Sequence, residues 1–576
     1  MSRASREAWA RVCAVLLSAP LFCSAHAAAA GADNIRAVWA HASSTHSKAE
    51  CDAVLDRVQA AHLNCVYWLG FYWGGKCFFR NRFVPMPSSV AAGFDPLDYL
   101  IEEGHRRGIE VHLRFVNGEN GSNEPGPFFS AHPDWAWVDY EGKRHLWYDY
   151  ANPEVRAFQT ELMVGAVRNY PQLDGVQFDF VRYEDSFGSF SSAAKSGFSA
   201  ATGAALPQEA GESLPLVAPI KGNPVDAPTT ARVYARFGGG PAAIAAATVG
   251  SGGVLLLNWH AELGPFPFVS TLVRRAVQSR GIKGGELPLL HLPESDEWHG
   301  KYKAAAETML QRSGYTPRWV GPEALTSSEK TPVLVVPNCY RISHDNLAKL
   351  LAYARSGGHV LMVDGPIYAI GDPLCQELVG FSRNPPYLAG MQAIVPLREL
   401  PFFEVSVKPE DVNEATYSDI ARKWTAYQAG CITDLVRTVH QRAHEVRPNV
   451  VVSACTFHRR SSAESLLQYW HEWVRDGIVD YAVTMAYTPD NDSLRQSMRE
   501  WLATDPTHSR VIPGLGVYDI DDDGQPQRPD QVLTQMRVLR EEGGYSSVAF
   551  FHLPEITDAL ARALATGPFA QEIRRR

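Results

Sequence analysis

The chain has no long run of Lys or Arg, and its 576 residues carry a formal charge of -9 at pH 7. Nucleic acid and anionic lipid are gripped by clustered positive charge, so neither is expected as a partner. Beyond the amino terminus no apolar run reaches the ~18 residues that a membrane span needs. Cysteine is sparse, nine residues in all, and its irregular spacing is no disulfide framework; at most one or two bridges are expected. The glycines at Gly514 and Gly516 lack the third glycine and the acidic follow-up of a dinucleotide site. His440 and His444 lie four apart, a spacing that can bind zinc, but no HExxH acid accompanies them and a surface helix face is the simpler reading. Without a convincing ligand cluster a metal-dependent deacetylase is disfavoured, and no cofactor is required.

Against these absences stand 45% hydrophobic residues, enough for a large core and two or three domains. Aromatics make up 11%, with 14 Trp, a tilt toward the flat apolar platforms of sugar-binding clefts. The amino terminus reads as an export signal. Arg3, Arg6 and Arg11 precede the apolar run from Val12 to Cys23, and Ala25-His26-Ala27 supplies the small-x-small cleavage pattern. Residues 1–27 are therefore expected to be removed near Ala27, leaving a secreted or periplasmic product with seven cysteines.

Along the chain, helix signals alternate with apolar strands. Strands are expected at Ile35 to Ala40, Leu63 to Leu69, Ile109 to Val116 and Leu173 to Phe180. Asp95-Pro96 and Asn152-Pro153 place an N-cap and a first-turn proline ahead of the connecting helices. The same style resumes only after residue 414, with strands at Val450 to Ala454, Val479 to Tyr487, Val511 to Val517 and Ser547 to Phe551. Eight βα units close a (β/α)8 barrel. The fold class is thus α/β: a TIM barrel from residues 32–210 and 410–576, interrupted after strand 4. The stretch from Ser186 to about Gly222 reads as a Ser, Ala, Gly and Pro-rich linker with at most a short helix. Residues 220–400 have their own α/β pattern, expected to form an inserted doubly wound domain.

The most informative segment is Leu173 to Glu184, LDGVQFDFVRYE. Val176, Phe178 and Phe180 share one face of a strand while Gln177 and Asp179 share the other. A carboxylate ending such a strand, followed by Arg182, Tyr183 and Glu184, suits a site better than a core, since parallel α/β folds collect their sites at strand carboxyl ends. The alternative is that Asp179 only pairs with Arg182.

The runs IRAVWAH, HLNCVYWL, IEVHLRF, HPDWAW with DYANPEVRAF, GVQFDFVRY, RPNVVVSA, VDYAVTMAYT and VIPGLGVY together resemble the bacterial glycosyl-hydrolase-like family 10 of TIM barrels. FDFVRY is the most specific of them. The resemblance implies a glycoside hydrolase acting on a carbohydrate, with a bacterial envelope glycan among the substrates it suggests, and it places the key strand-four acid at Asp179. The inserted segment resembles glutamine-amidotransferase-like domains of secreted glycosidases. Cys339, however, sits between Asn338 and Tyr340, not the small residues of a nucleophile elbow, so the segment is expected to shape the cleft or to mediate self-association into a homo-oligomer.

Glycosidic cleavage takes two carboxyl groups, ~5 Å apart for retention and ~6.5 to 9.5 Å for inversion. Asp179 is one candidate. Glu184 on the same loop, Asp490 past the sixth strand and Glu119 past the third are candidates for the other, and the partner stays open. Trp39, His41, Arg114, Asn117, Arg182, Tyr183, Tyr487, Tyr518 and His552 fall at or near strand ends and are candidate substrate contacts. Asp519, Asp521, Asp523 and Asp530, with Gly524, follow the spacing of a calcium loop, against the alternative of a plain acidic turn. The reading is a secreted glycoside hydrolase with carboxylate acid/base chemistry; the alternative is a non-catalytic glycan-binding protein on a degenerate barrel, with one acid or none in its cleft.

Overall fold

In the first strand, β1 (Arg36–His41), Ala37 and Trp39 point to one side while Val38 and Ala40 point to the other, and both sets are buried. A strand apolar on both faces needs a layer on each side, which is the condition of a parallel sheet covered by helices. The computed structural model describes residues 34–119, 124–206, 213–260, 267–326, 331–399, 408–518, 528–571 and 573, and the segment 1–27 read as a leader therefore lies outside the described residues. No helix among them is long and apolar enough to cross a membrane.

Seven further strands follow: β2 (Cys65–Tyr72), β3 (Glu110–Val116), β4 (Gly175–Asp179), β5 (Val451–Phe457), β6 (Tyr481–Ala486), β7 (Val511–Gly516) and β8 (Val548–Phe551). Each pairs in parallel with the next, and β8 returns to β1 through Arg36 opposite Val548, so eight strands close into a barrel. Inside it Ala37, Trp39, Cys65, Tyr67, Cys455, Tyr481, Val483, Ile512 and Ala549 form the central packing. Outside it a much larger apolar cluster joins strands to helices.

The helix starts follow local chemistry. Asp95 accepts from Asp98 N (3.1 Å) ahead of Pro96–Arg106, and Asn152 accepts from Glu154 N (2.9 Å) ahead of Pro153–Asn169. At the amino-terminal end of the barrel, side chains just before one strand tie down the start of a neighbour: Asn64 accepts from Arg36 N (2.8 Å), Asp174 from Val111 N (2.8 Å) and Asp480 from Val452 N (2.7 Å). That end is a stability face.

The segment between β4 and β5 holds a helix, Ser192–Thr202, and a second, nine-stranded sheet spanning Val217 to Pro396. Its strands Thr316–Val320, Glu286–Leu290, Val333–Pro337, His359–Val363 and Gly252–Leu257 are parallel; Ala242–Val249, Arg232–Phe237, Leu388–Pro396 and Val217–Gly222 continue it antiparallel. The stretch read as a linker therefore already contains the last strand of this sheet. Ala-rich AAIAAATV and the short TPRWV carry little strand signal, and their extended state is set by pairing within the sheet. Helix Glu414–Val446 fastens the two parts: Trp424 Nε1 donates to Phe187 O (2.8 Å), Gln428 Nε2 donates to Ser189 O (2.9 Å), and Val217 and Met391 join the barrel's apolar cluster. Gly188 is required here, at φ 74°, with Gln428 so near that an added Cβ would meet its side chain at 2.6 Å. All seven cysteines among the described residues are buried, and no disulfide joins them.

Candidate active site

β4 ends at Asp179 because Phe180 takes φ 51°, a left-handed conformation that an L side chain adopts only at a cost of ~1–3 kcal/mol. The turn brings Phe180 N back to donate to Asp179 Oδ1 at 2.9 Å. Asp179 is only 6% exposed. Burial pushes its carboxyl above the usual range, while Arg114, the Phe180 N–H and Arg182 pull in the opposite direction.

The ion pair of Asp179 is made to the neighbouring strand, not along the chain. Arg114 on β3 places Nε 3.7 Å from Asp179 Oδ2, and its Nη2 lies 3.3 Å from His41 Nε2 at the end of β1. A guanidinium can only donate, so His41 Nε2 accepts and the ring is neutral with its proton on Nδ1. Burial, Arg114 and His552 hold His41 neutral, lowering it to about 3. The His552 ring is 5.3 Å from that of His41, and its Nδ1 lies 2.6 Å from Glu555 Oε2. Tyr487 stacks on Phe551 at 4.9 Å, and burial, with the nearby Asp179 carboxylate, raises its hydroxyl far above the usual value.

Arg182 does something other than pair with Asp179. Its guanidinium lies over Trp147 (5.2 Å), Phe180 (5.0 Å) and Phe457 (5.2 Å), and Nη1 donates to Tyr183 O at 3.2 Å. It also draws two carboxylates toward one field. Glu119, half-buried and bridged to Trp147 through the backbone, is raised by burial, lowered by Arg182, and raised again by Glu184 and Asp179. Of the acids weighed as partner to Asp179, Glu119 and the exposed Glu184 share this neighbourhood, with Glu119 the more desolvated.

Other candidates are placed differently. Asp490 is exposed and serves as N-cap of helix Asn491–Thr504, accepting from Asp492 N (3.1 Å) and Ser493 N (2.9 Å). Tyr183 is fully buried in the outer core, edge-on to Tyr150 at 5.3 Å, because the turn at Phe180 reverses which way the next residues face. Asn117 is 1% exposed and turned to the helix behind β3, where its Nδ2 donates to Gln159 Oε1 at 3.1 Å. Trp39 is fully buried; it floors the mouth and donates from Nε1 to Gln177 Oε1 at 2.9 Å. These three pack the site's walls and floor and present no surface to a ligand. Tyr518 is half-buried, 6.2 Å from Tyr487 ring to ring. Asp519, Asp521 and Asp523 of the acidic loop lie outside the described residues, and Asp530 is exposed in the first turn of helix Pro529–Arg537.

Gln177 and Glu555 were not singled out from sequence. Gln177 also bonds Ser453 Oγ (3.1 Å) and Cys455 Sγ (3.2 Å), so it fixes β1, β4 and β5 to one another under Asp179. Its inward face on β4 was the available signal. For Glu555, the signal was an acid three residues past a strand-end histidine.

In the second sheet Cys339 is 3% exposed, and its Sγ is 3.5 Å from His299 Nε2, a contact the sequence did not reveal. The pair is not activated. Burial raises the thiol, burial and His291 lower His299 to about 4, and the positive φ of 49° falls on Asn338 instead of the cysteine. A cavity of about 1150 Å³ runs between the second sheet and the long helix past Tyr387, Arg422, Arg437, Glu464 and Tyr469, and Asp179 does not line it.

The chain is similar over 156 residues, at 35% identity, to the protein named Glycosyl hydrolase DigH of Escherichia coli (strain K12), covering 23% of this chain and 34% of that one. The same identity and coverage hold for the protein of that name from Shigella flexneri. The match thus spans about a third of those relatives' length. The glycoside hydrolase domain of PgaB (BpsB) from Bordetella bronchiseptica aligns over 93% of this chain and 96% of its own at 12% identity, with a TM-score of 0.43. A β-galactosidase from Bacillus circulans sp. alkalophilus aligns over 91% of this chain and 50% of its own at 10% identity, with a TM-score of 0.41. The sequence profile of the family described as Glycosyl hydrolase-like 10 matches residues 34–211 and 401–530, two blocks on either side of the second sheet. Since those blocks take in over half of the chain, it belongs to the Glycosyl hydrolase-like 10 family.

Proposed function

We propose that this protein is a secreted glycoside hydrolase that cleaves a polysaccharide or oligosaccharide, with a bacterial envelope glycan among the candidate substrates. The observation that carries the reading is Asp179: a desolvated carboxylate at the end of β4, oriented by its own turn and facing Arg114 in a mouth rimmed by His41, Tyr487 and His552. Developing positive charge at a sugar ring would be stabilised most strongly by such an ion in low dielectric. Asp179 acts in this scheme as nucleophile or stabilising ion. Glu119, raised by burial, is the better placed acid for protonating the leaving oxygen, with Glu184 as the water-accessible alternative.

The remaining parts of the proposal fit around this site. The leader at residues 1–27 directs export, and the amidotransferase-like segment at 220–400 shapes access to the barrel without chemistry of its own. The buried, unactivated Cys339 supports the last of these. The test is incubation of the purified chain with a panel of bacterial envelope and plant glycans, scoring new reducing ends and the masses of the products. Release from at least one envelope glycan is expected. Tight binding to a glycan with no new reducing ends at any pH would overturn the reading in favour of a binding protein.

A further inference from the structure

A second group of chemically capable side chains lies at the opposite, amino-terminal end of the barrel. Cys65 opens β2 and Glu110 opens β3, where the two are register partners; His112 follows two residues on, opposite Tyr67. Cys65 and Tyr67 belong to the packing inside the barrel, and residues two apart on a strand share a face, so all three side chains converge on the barrel axis. Their donor atoms lie within 4.8 Å of one another.

His112 is the anomaly. It is completely buried, and neither Nδ1 nor Nε2 has a hydrogen-bond partner. Nε2 stands 3.7 Å from Glu110 Oε2, whereas His105 meets Asp174 at 2.8 Å and His145 meets Asp139 at 2.7 Å. Burying an imidazole with both nitrogens unpaired costs its hydration and returns nothing. Space for the ring is made by Gly175 on β4, where any Cβ would fall 2.3 Å from Nδ1, and the Tyr67 ring holds it edge-on at 5.4 Å.

We propose that Cys65, Glu110 and His112 are the ligands of a divalent metal ion of the zinc class, bound at the floor of the barrel. Thiolate, imidazole and carboxylate are the donor types that zinc takes, and with bonds of ~2.0–2.3 Å a tetrahedral ion holds its ligand atoms ~3.3–3.7 Å apart. The His112–Glu110 separation already matches this spacing. The charges balance as well: thiolate and carboxylate together neutralise a dication, so the buried site is left with no net charge. Only the S–H bond breaks on binding, its proton going to solvent, and water takes the fourth position. Glu110, half-buried, is the way in.

Among the described residues a second cluster with metal-ligand spacing, His440, His444 and Asp480, is satisfied without an ion. Asp480 accepts from Val452 N (2.7 Å), His444 Nε2 lies 2.8 Å from Val450 O, and the two histidines flank the carboxylate at 3.5 and 3.3 Å. The site at Cys65 lies at the other end of the barrel from Asp179, so its existence does not depend on what Asp179 does.

The full-length chain, stripped by a chelator, would be titrated calorimetrically with zinc alone and spectroscopically with cobalt(II) alone. One equivalent of each is expected, with a near-ultraviolet thiolate-to-cobalt charge-transfer band that C65S abolishes and H440A leaves intact. E110Q, which keeps shape, should weaken affinity at least tenfold and serves if C65S does not fold. Absence of stoichiometric uptake, a band that survives C65S, or uptake lost in H440A but not in C65S would each overturn the assignment.

Discussion

Arg114 Nε lies 3.7 Å from Asp179 Oδ2, so the buried carboxylate is paired across two strands with β3 and not with its chain neighbour Arg182. Because Arg114 is the foremost of the groups that pull the Asp179 carboxyl down against the burial that pushes it up, R114M leaves burial opposed only by the Phe180 N–H and Arg182. A group whose ionised form does the work must then be titrated at higher pH. The acidic limb of kcat/KM is expected to move upward in R114M, and turnover near neutrality to fall by ~10-fold, about 1.4 kcal/mol. A pH–rate profile unchanged on the acid side would show that Arg114 does not tune Asp179.

Asp490 supplies a contrast. Both its oxygens are engaged in capping Asn491–Thr504, so D490A is expected to destabilise the chain by ~1 kcal/mol while turnover stays within about twofold. Chemical denaturation together with reducing-end release checks both halves. A folded D490A with turnover reduced a hundredfold would return Asp490 to the chemistry.

The network at Asp480 should be visible as pH-dependent stability. Burial raises its carboxyl, but hydrogen bonds from His440 and His444 outweigh it and hold it well below the usual range; His444 is raised, first by its bond to Asp480. For His444 the stabilisation is complete below its unfolded value of ~6.5 and is lost as pH rises through its higher folded value. For Asp480 it is present above the unfolded value of ~3.9 and is lost as pH falls through the folded one. D480N should cost ~1–3 kcal/mol near pH 6 and flatten the decline on the alkaline side. Equal pH profiles for D480N and wild type would contradict this.

Much of the barrel was legible in sequence because its signals are local. Asp95-Pro96 and Asn152-Pro153 cap the helices they announce, and the period-two faces of β1 and β4 give the inner and outer layers. The antiparallel strands of the second sheet were not legible, since Ala242–Val249 owes its extended state to partners far along the chain. Of the candidate site, the strand pattern pointed to Asp179, Arg114, His41 and His552, which the structure brings near one another at the barrel mouth. Trp39, Tyr183 and Asn117 are turned into packing and Asp490 to capping a helix. The left-handed turn at Phe180, the bond from Asn117 to Gln159 and the N-cap geometry are each invisible to spacing alone.

Cys339 offers a further check. With its thiol raised by burial and His299 held neutral, it has no route to a thiolate at neutral pH. C339A should leave turnover within about twofold, under ~0.5 kcal/mol of barrier. Loss of activity in a folded C339A would show that the second sheet takes part in the chemistry.

The central claim is that the Asp179 carboxylate performs the reaction, and the most direct measurement is the rate of reducing-end release by D179N against wild type on the glycan the panel selects. Asn keeps the shape and can still accept from Phe180 N, but it carries no charge. The expected result is a folded variant slower by at least ~100-fold, about 2.7 kcal/mol of transition-state stabilisation. A folded D179N that hydrolyses the glycan at near wild-type rate would contradict it.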